Sequence, residues 1–200
     1  MATKRAIVII AFASIIGLVM FLKPSTSLID AHHEMSISGQ IIDNTTELQR
    51  QHLAERIGRR YTRVDDAVVE QIAAAAVKHQ RDTFPRADDI VAIIAIESIF
   101  DPNAVSGLRT DPAKGLMQIR HGVWEDLVGG KDMRSIENQI KYGAEILEQY
   151  YERAGGNRDL AVMAYNLGIT DVLRRGKKNE RYLAKYHREL NAFRLPKDLI

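Results

Sequence analysis

Apolar residues recur at every third or fourth position through most of this chain, and few windows alternate apolar and polar residues as β-strands do. Residues that cap or break helices divide this pattern into segments. The predicted helices run from Asp65 or Asp66 through Val77, from Asp88-Asp89 through Glu97, from Gly115 to Leu127, from Ile136 to Arg153, from Asn157 to Leu167, and from Asn179 to Phe193. The pattern therefore predicts an all-α domain over residues 65–193, followed by a short tail over residues 194–200.

The first apolar run differs from the others because it carries no charge. Lys4 and Arg5 precede it, and it extends without a charged residue from Ile7 to Leu22. This run is long for the apolar part of a cleaved signal peptide and short for a bilayer span, which needs about 20 residues. We therefore expect residues 1–27 to be a signal peptide or an uncleaved inner-membrane anchor, which places the rest in the periplasm. A buried core helix is the remaining interpretation.

Residues 28–64 connect this segment to the helical region. Up to residue 46 the sequence is polar and aperiodic, which is typical of a linker or a loosely ordered arm. The following stretch is helix-like and basic, and it forms either a solvated face or a docking surface for anionic lipid or polymer. Its five arginines are Arg50, Arg56, Arg59, Arg60 and Arg63.

Composition limits the classes of protein to which the chain can belong. Its 200 residues, of which 46% are hydrophobic, suffice for one folded core. The net charge of +2 gives no basic excess of the kind that nucleic-acid-binding proteins carry, so we expect no nucleic-acid partner. Cysteine is absent, which excludes disulfides, thiolate metal sites and a cysteine nucleophile.

Glu97 is a carboxylate placed within an otherwise apolar run. Helical spacing puts Ile90, Ile93, Ile94 and Glu97 on one face, so the carboxyl group should be partly removed from water. Desolvation disfavours the charged form of a carboxyl group and raises its pKa. This placement predicts a general acid that stays protonated near neutral pH. The alternative is a glutamate at the helix end whose carboxylate reaches solvent.

Four separated segments carry a more specific signal when they are taken in order. They are Glu97–Ser106, Gly115–Ile119, Tyr142–Leu147 and Ala164–Gly168. Together they resemble the catalytic domain of bacterial lytic transglycosylases of the soluble type, which has a helical, lysozyme-like fold. The resemblance covers roughly residues 65–186. It implies an enzyme that acts on the glycan strands of peptidoglycan and that needs no metal or cofactor.

The resemblance also implies a role for individual residues. Glu97 falls on the position of the catalytic acid and base. The implied substrate-binding residues are Ser106, Met117, Gln118, Tyr165, Asn166 and Tyr182. Within that set the thioether of Met117 would pack on a sugar face, and the amide of Gln118 would bond sugar hydroxyl or acetamido groups. From the residues alone, Ser106 could equally cap a turn, Asn166 could end a helix, and Tyr182 could be a core aromatic.

The implied reaction uses one carboxyl group, whereas most glycosidases use two. In the family, the 2-acetamido group of muramic acid assists the reaction and the 6-hydroxyl of the same sugar closes a 1,6-anhydro ring. Glu97 would act first as an acid and then as a base. The alternatives are a hydrolytic muramidase on the same fold and a non-catalytic glycan-binding adaptor. Either kind of protein could serve cell-envelope machinery such as a secretion, conjugation or phage apparatus.

Two segments depart from the family's usual pattern. The loop over residues 107–114 is longer than the usual spacing, so the position of Ser106 depends on how this loop folds. After Ile119, Arg120-His121-Gly122 replaces the usual proline and threonine. His121 is therefore interpreted as a second titrating group, a substrate-binding residue or a surface histidine.

We predict that alkaline phosphatase fused after Ile200 is active in intact cells, because residues 7–22 should export everything that follows them. The measurement is phosphatase activity in cells that produce the fusion, and the control is the same fusion without residues 1–23. Equal activity of the two fusions would contradict the export segment. Retention of the active fusion in the membrane fraction would indicate an anchor, and its release would indicate cleavage.

Overall fold

The computed structural model describes residues 26–199 and, from residue 40 onward, their side chains. These residues form eight α-helices, two short strands and one 3₁₀ turn over Lys197–Leu199. The helices are α1 (Thr26–Arg60), α2 (Asp66–His79), α3 (Ala87–Glu97), α4 (Glu125–Val128), α5 (Ile136–Arg153), α6 (Arg158–Leu167), α7 (Ile169–Leu173) and α8 (Glu180–Phe193). The strands are β1 (Ala113–Lys114) and β2 (Ile119–Arg120). The prediction of a helical fold is confirmed for this part of the chain.

The export segment predicted over residues 1–27 lies almost wholly outside the described residues and stays a prediction. Among the helices from residue 26 onward, none has the length and apolar character that crossing a membrane requires.

Several helix ends follow from capping residues that the sequence singles out. The side chain of Asp65 accepts a hydrogen bond from the Ala67 backbone at the start of α2, and Asn157 and Asn179 cap α6 and α8 in the same way. Gly168 ends α6 with a φ of 87°, which a residue with a side chain rarely adopts. These interactions are local, which is why the sequence alone identifies them.

The helix predicted over residues 115–127 is wrong for most of its length. A hairpin pairs Ala113 with Arg120 and Lys114 with Ile119, and α4 contains four residues. Gly115 and Gln118 have φ values of 75° and 48°, which are incompatible with a right-handed helix. A long-range contact favours this turn, since the side chain of Gln139 on α5 accepts a hydrogen bond from the Leu116 backbone.

The structure differs from the loosely ordered arm expected over residues 28–46, because α1 continues without interruption from Thr26 to Arg60. No proline follows Pro24 until Pro85, so nothing removes a backbone donor from this helix. Of the described residues, 26–45 belong to one unit and 46–199 to a second.

The second unit starts earlier than the domain boundary predicted at residue 65. Leu53 and Ile57 of α1 are fully buried in its core. Arg60 forms an ion pair with the buried Glu189 of α8 at 2.9 Å, and Arg56 donates to the carbonyl of Ala192. Arg50 pairs with glutamates on α1 and α2, and Arg59 with a glutamate on α1. Four of the five arginines therefore have a carboxylate or carbonyl partner within the unit, and the docking surface for anionic lipid or polymer stays a prediction.

Helix α3 is the central element of this unit. It packs against α2 and α8, and every residue from Ala87 to Ala95 is buried. The helix is therefore buried on all sides, and the face of three isoleucines predicted around Glu97 is one part of a buried surface that surrounds it. The capping interaction comes from Asp89, which accepts from the backbone of Arg86 at 2.8 Å.

Helix α5 approaches the hairpin closely at Gly143. A Cβ atom at this position would lie 2.2 Å from the sulfur of Met117, which is fully buried. Because interiors are close-packed, Met117 has no space into which it can move without displacing its neighbours. Glycine is therefore required here by the close approach and not by the backbone conformation.

We predict that Gly143→Ala destabilises the protein by about 1–3 kcal/mol, the usual cost of overpacking a core. The matched control is Gly58→Ala, because a Cβ atom at that position on α1 meets nothing within 4 Å. The control should stabilise the protein by about 0.5–1 kcal/mol, since alanine restricts the unfolded chain and favours the helix. Urea denaturation measures both changes. Equal stabilisation by the two substitutions would contradict the close packing of α5 on the hairpin.

Candidate active site

A cleft of about 340 Å³ lies beside the C-terminal end of α3. Its walls come from the hairpin, the loop before it, and helices α5 and α6. The lining residues that carry polar or aromatic groups are Glu97, Ser106, Gln118, Arg120, Trp124, Tyr150, Tyr165 and Asn166. The fold thus brings together five of the seven residues predicted from the sequence, although they lie up to 69 positions apart.

Glu97 is the last residue of α3, and it is the one carboxylate among the described residues that line the cleft. Burial raises the pKa of its side chain, and a hydrogen bond from the Tyr182 hydroxyl opposes this effect to a smaller degree. The two oxygen atoms lie 2.5 Å apart. The carboxyl group is thus held where the protonated form is favoured, yet it faces a cleft that a ligand can enter.

The chain after Glu97 fixes the position of the carboxyl group. Ile99 and Phe100 have φ values of 55° and 65°, so the right-handed helix cannot continue past this point. Phe100 is buried, and its ring lies 4.7 Å from that of Tyr61 and 6.0 Å from that of Phe193. Aromatic packing holds the residue in a conformation that costs an L-amino acid about 1–2 kcal/mol.

Two tyrosines flank Glu97 from different helices. The Tyr165 hydroxyl donates to the backbone carbonyl of Met117 at 2.7 Å, and Tyr182 donates to Glu97 itself. Burial and the neighbouring charge of Glu97 raise the pKa of both phenols well above the usual value. Both side chains therefore remain neutral hydrogen-bond donors over the whole physiological pH range.

Ser106 and Gln118 reach the cleft through the hairpin. The Ser106 hydroxyl accepts from the backbone of Ala113 at 2.9 Å, and this bond closes the long loop and sets the serine at the cleft wall. The Gln118 side chain donates to the carbonyls of Ala104 and Gly115. Its amide hydrogens are thereby used, so its carbonyl oxygen is the group that can accept a hydrogen bond from a ligand.

Met117 does not occupy the position predicted for it. Its side chain is fully buried against Gly143, and it is absent from the cleft wall. The turn of the hairpin directs Gln118 toward the cleft and Met117 into the core, a choice that sequence spacing does not reveal. Met117 contributes through its backbone, which accepts the Tyr165 hydroxyl.

Asn166 and His121 differ in their relation to the cleft. Asn166 lines the cleft, is exposed, and accepts a hydrogen bond from the Asn179 side chain at 2.8 Å. This bond connects the end of α6 to the start of α8, the helix that carries Tyr182. His121 lines a neighbouring cavity with Lys114 instead and is not among the residues that line the cleft.

Three of the polar or aromatic cleft residues were not identified from the sequence. Trp124 and Tyr150 form an edge-to-face pair with ring centroids 5.6 Å apart, and Arg120 supplies a positive charge. Trp124 is the one tryptophan of the chain, which could have marked it as a binding residue. Nothing in the sequence places Tyr150 beside it, because the two residues lie on different elements.

Comparison with known proteins gives one family match. The model of the family described as the transglycosylase SLT domain matches residues 75–187, which is more than half of the chain. This range contains the whole lining of the cleft and Tyr182. Searches of curated proteins and of solved structures gave no match.

We predict that Tyr182→Phe raises the pKa of Glu97 further, because the phenol hydroxyl stabilises the charged form of the carboxyl group. The protonated form should then persist to higher pH than in the unmodified protein. The measurement is the pH titration of the glutamate side-chain carboxyl carbons by NMR, with Glu97→Gln to assign the signal.

The matched control for this titration is Tyr186→Phe on the same helix, since the Tyr186 hydroxyl donates to Asp89 and not to Glu97. This substitution should leave the Glu97 midpoint unchanged. A Tyr182→Phe midpoint that stays in place or falls would contradict the effect assigned to the hydrogen bond.

Proposed function

Because the chain belongs to the family of the transglycosylase SLT domain, we propose that it cleaves the glycan strands of peptidoglycan without water. The bond cleaved is the β-1,4 bond between N-acetylmuramic acid and N-acetylglucosamine, and the product carries a 1,6-anhydromuramoyl end. The observation that carries this proposal concerns the described residues that line the cleft. Glu97 supplies the one carboxyl group among them, which is partly buried, and the others supply neutral polar, aromatic and apolar groups and one cation.

The first step requires a proton donor. Glu97 transfers its proton to the glycosidic oxygen, and the bond between this oxygen and the anomeric carbon breaks. The carbonyl oxygen of the 2-acetamido group bonds to the anomeric carbon and compensates its developing positive charge. Burial of Glu97 supports this step, because it raises the pKa of the carboxyl group and so favours the protonated form that can donate.

The second step requires a base at the same place. The carboxylate of Glu97 takes the proton of the 6-hydroxyl of muramic acid, and the oxygen of this hydroxyl attacks the anomeric carbon. The bond to the acetamido oxygen breaks, which restores that group and closes the anhydro ring. The hydrogen bond from Tyr182 supports this step, since it stabilises the carboxylate that exists between the two proton transfers.

The remaining cleft residues position the substrate in this proposal. The free carbonyl of Gln118 and the hydroxyl of Ser106 are placed to bond acetamido or hydroxyl groups, and Asn166 adds an exposed amide. The rings of Trp124 and Tyr150 offer apolar surface to the faces of sugar rings. Tyr165 holds the hairpin against α6 through the carbonyl of Met117.

A hydrolytic muramidase is the nearest alternative, and it would release reducing muramic acid ends. Most hydrolytic glycosidases need a second carboxyl group as base or nucleophile. Among the described residues that line the cleft, Glu97 is the one carboxylate, which favours substrate assistance. A non-catalytic adaptor has no need for a desolvated acid, because burying a carboxyl group costs stability at neutral pH.

Peptidoglycan also determines where the protein would act. We propose that it works on the cell wall in the periplasm, exported by residues 1–27, which either are removed or hold it at the inner membrane. A role beside a secretion, conjugation or phage apparatus is compatible with this location.

We predict that Glu97→Gln lowers the rate of peptidoglycan cleavage by about 10²–10⁴, the usual contribution of positioned proton transfer. Glutamine keeps the shape of the side chain and can still accept from Tyr182, so the fold and glycan binding should persist. The matched control is Glu152→Gln on the exposed end of α5, which should retain full activity.

The assay is digestion of purified peptidoglycan followed by mass spectrometry of the muropeptides. Products lighter by one water than the reducing forms indicate anhydro ends and support the transglycosylase. Reducing ends would support the muramidase. Near-native activity of the Glu97→Gln variant would overturn the assignment of the acid.

A further inference from the structure

We propose that Arg120 forms a carboxylate-binding subsite at the edge of the cleft, which recognises the charged substituent of muramic acid. This inference rests on the proposed function, because it concerns the selection of substrate by the same cleft. Arg120 is the one cationic side chain among the described residues that line the cleft. It lies on β2 opposite Ala113, which lines the cleft as well.

Asp111 holds one edge of the Arg120 side chain. The Nε atom of Arg120 lies 3.3 Å from both the backbone carbonyl and the carboxylate of Asp111. The carboxylate is itself fixed, since it accepts a hydrogen bond from the backbone of Gly122 at 2.8 Å. A Cβ atom at Gly122 would come within 3.1 Å of Asp111, so the turn and the loop are in close contact.

The other edge of the guanidinium group, which carries its two terminal amino groups, is available to a ligand. Among the described residues, Arg120 makes its side-chain hydrogen bonds through Nε alone. The side chain is 47% exposed, so its two terminal amino groups can reach a ligand. These two groups form the planar fork that binds both oxygen atoms of a carboxylate. Arg120 differs from a free surface arginine because Asp111 already orients its side chain before a ligand binds.

The chemistry of the substrate supplies a matching group. Muramic acid differs from N-acetylglucosamine by a lactyl ether, which ends in a carboxylate or continues into a peptide that carries carboxylates. A polymer of N-acetylglucosamine has neither. A cation at the cleft edge therefore distinguishes peptidoglycan strands from neutral polymers with the same backbone.

The test measures binding to the full chain that carries Glu97→Gln, so that cleavage does not consume the ligand. Three oligosaccharides of equal length serve as probes: a neutral N-acetylglucosamine oligomer, a glycan strand with free lactyl groups, and a glycan strand with its peptides. Adding Arg120→Gln should weaken binding of a charged strand by about threefold to tenfold, as for a partly exposed charge pair. Binding of the neutral oligomer should not change.

The pattern of losses identifies the source of the carboxylate. A loss confined to strands with free lactyl groups indicates the lactyl carboxylate, and a loss confined to peptide-bearing strands indicates the peptide. Arg120→Lys should retain part of the affinity, because lysine keeps the charge without the fork. The matched control is Arg134→Gln, which removes the same charge from an arginine that is 95% exposed and lines a different cavity.

Equal effects of Arg120→Gln on all three probes would overturn the inference and show that Arg120 only fixes the loop through Asp111. The proposed function would survive that result, because the neutral oligomer reports on the cleft independently of Arg120. A protein that bound none of the three probes would contradict the proposed function and, with it, the subsite.

Discussion

The site depends on one constraint: a helix that is buried on all sides has to end in a carboxyl group that a ligand can reach. Helix α3 meets it because the chain leaves the right-handed helical region directly after Glu97, at Ile99 and Phe100. Burial of Phe100 among aromatic rings stabilises this unfavourable backbone. The helix end therefore lies at the cleft, while Ala95 before it and Phe100 after it are buried in the core.

Asp89 and Glu97 are carboxylates near opposite ends of α3, and they differ in the number of their hydrogen-bond partners. Burial raises the pKa of Asp89 as well as that of Glu97. Asp89 has several partners, since it accepts from the Tyr186 hydroxyl and the Arg86 backbone and lies 3.6 Å from an Arg158 nitrogen. Both of its oxygen atoms therefore have partners within the fold. Among the described residues, Glu97 has one hydrogen-bonding side chain, that of Tyr182, which leaves capacity for a proton transfer.

The hairpin connects this helix end to the rest of the cleft. Gln139 accepts from the backbone of Leu116 and fixes the turn, the Tyr165 hydroxyl binds the next carbonyl, and Gly143 allows α5 to approach. Two of these contacts join the hairpin to α5, and the one from Tyr165 joins it to α6. Because a hairpin of two residues per strand is not stable alone, its shape and the positions of Gln118 and Arg120 are set by the helices around it.

The sequence by itself determined the helical class, most helix ends, the partly buried position of Glu97 and the family, because caps, breakers and short motifs act locally. Only the tertiary structure decided the hairpin in place of a helix, the core position of Met117, and the pairing of Trp124 with Tyr150. It also decided that the arginines of α1 pair within the unit and that Arg120 faces the cleft. Each of these depends on a partner distant in the chain, such as Gln139 for the hairpin turn or Glu189 for Arg60. The spacing of residues along one segment carries no information about such a distant partner. The partner is revealed only by the packing of side chains in the folded chain.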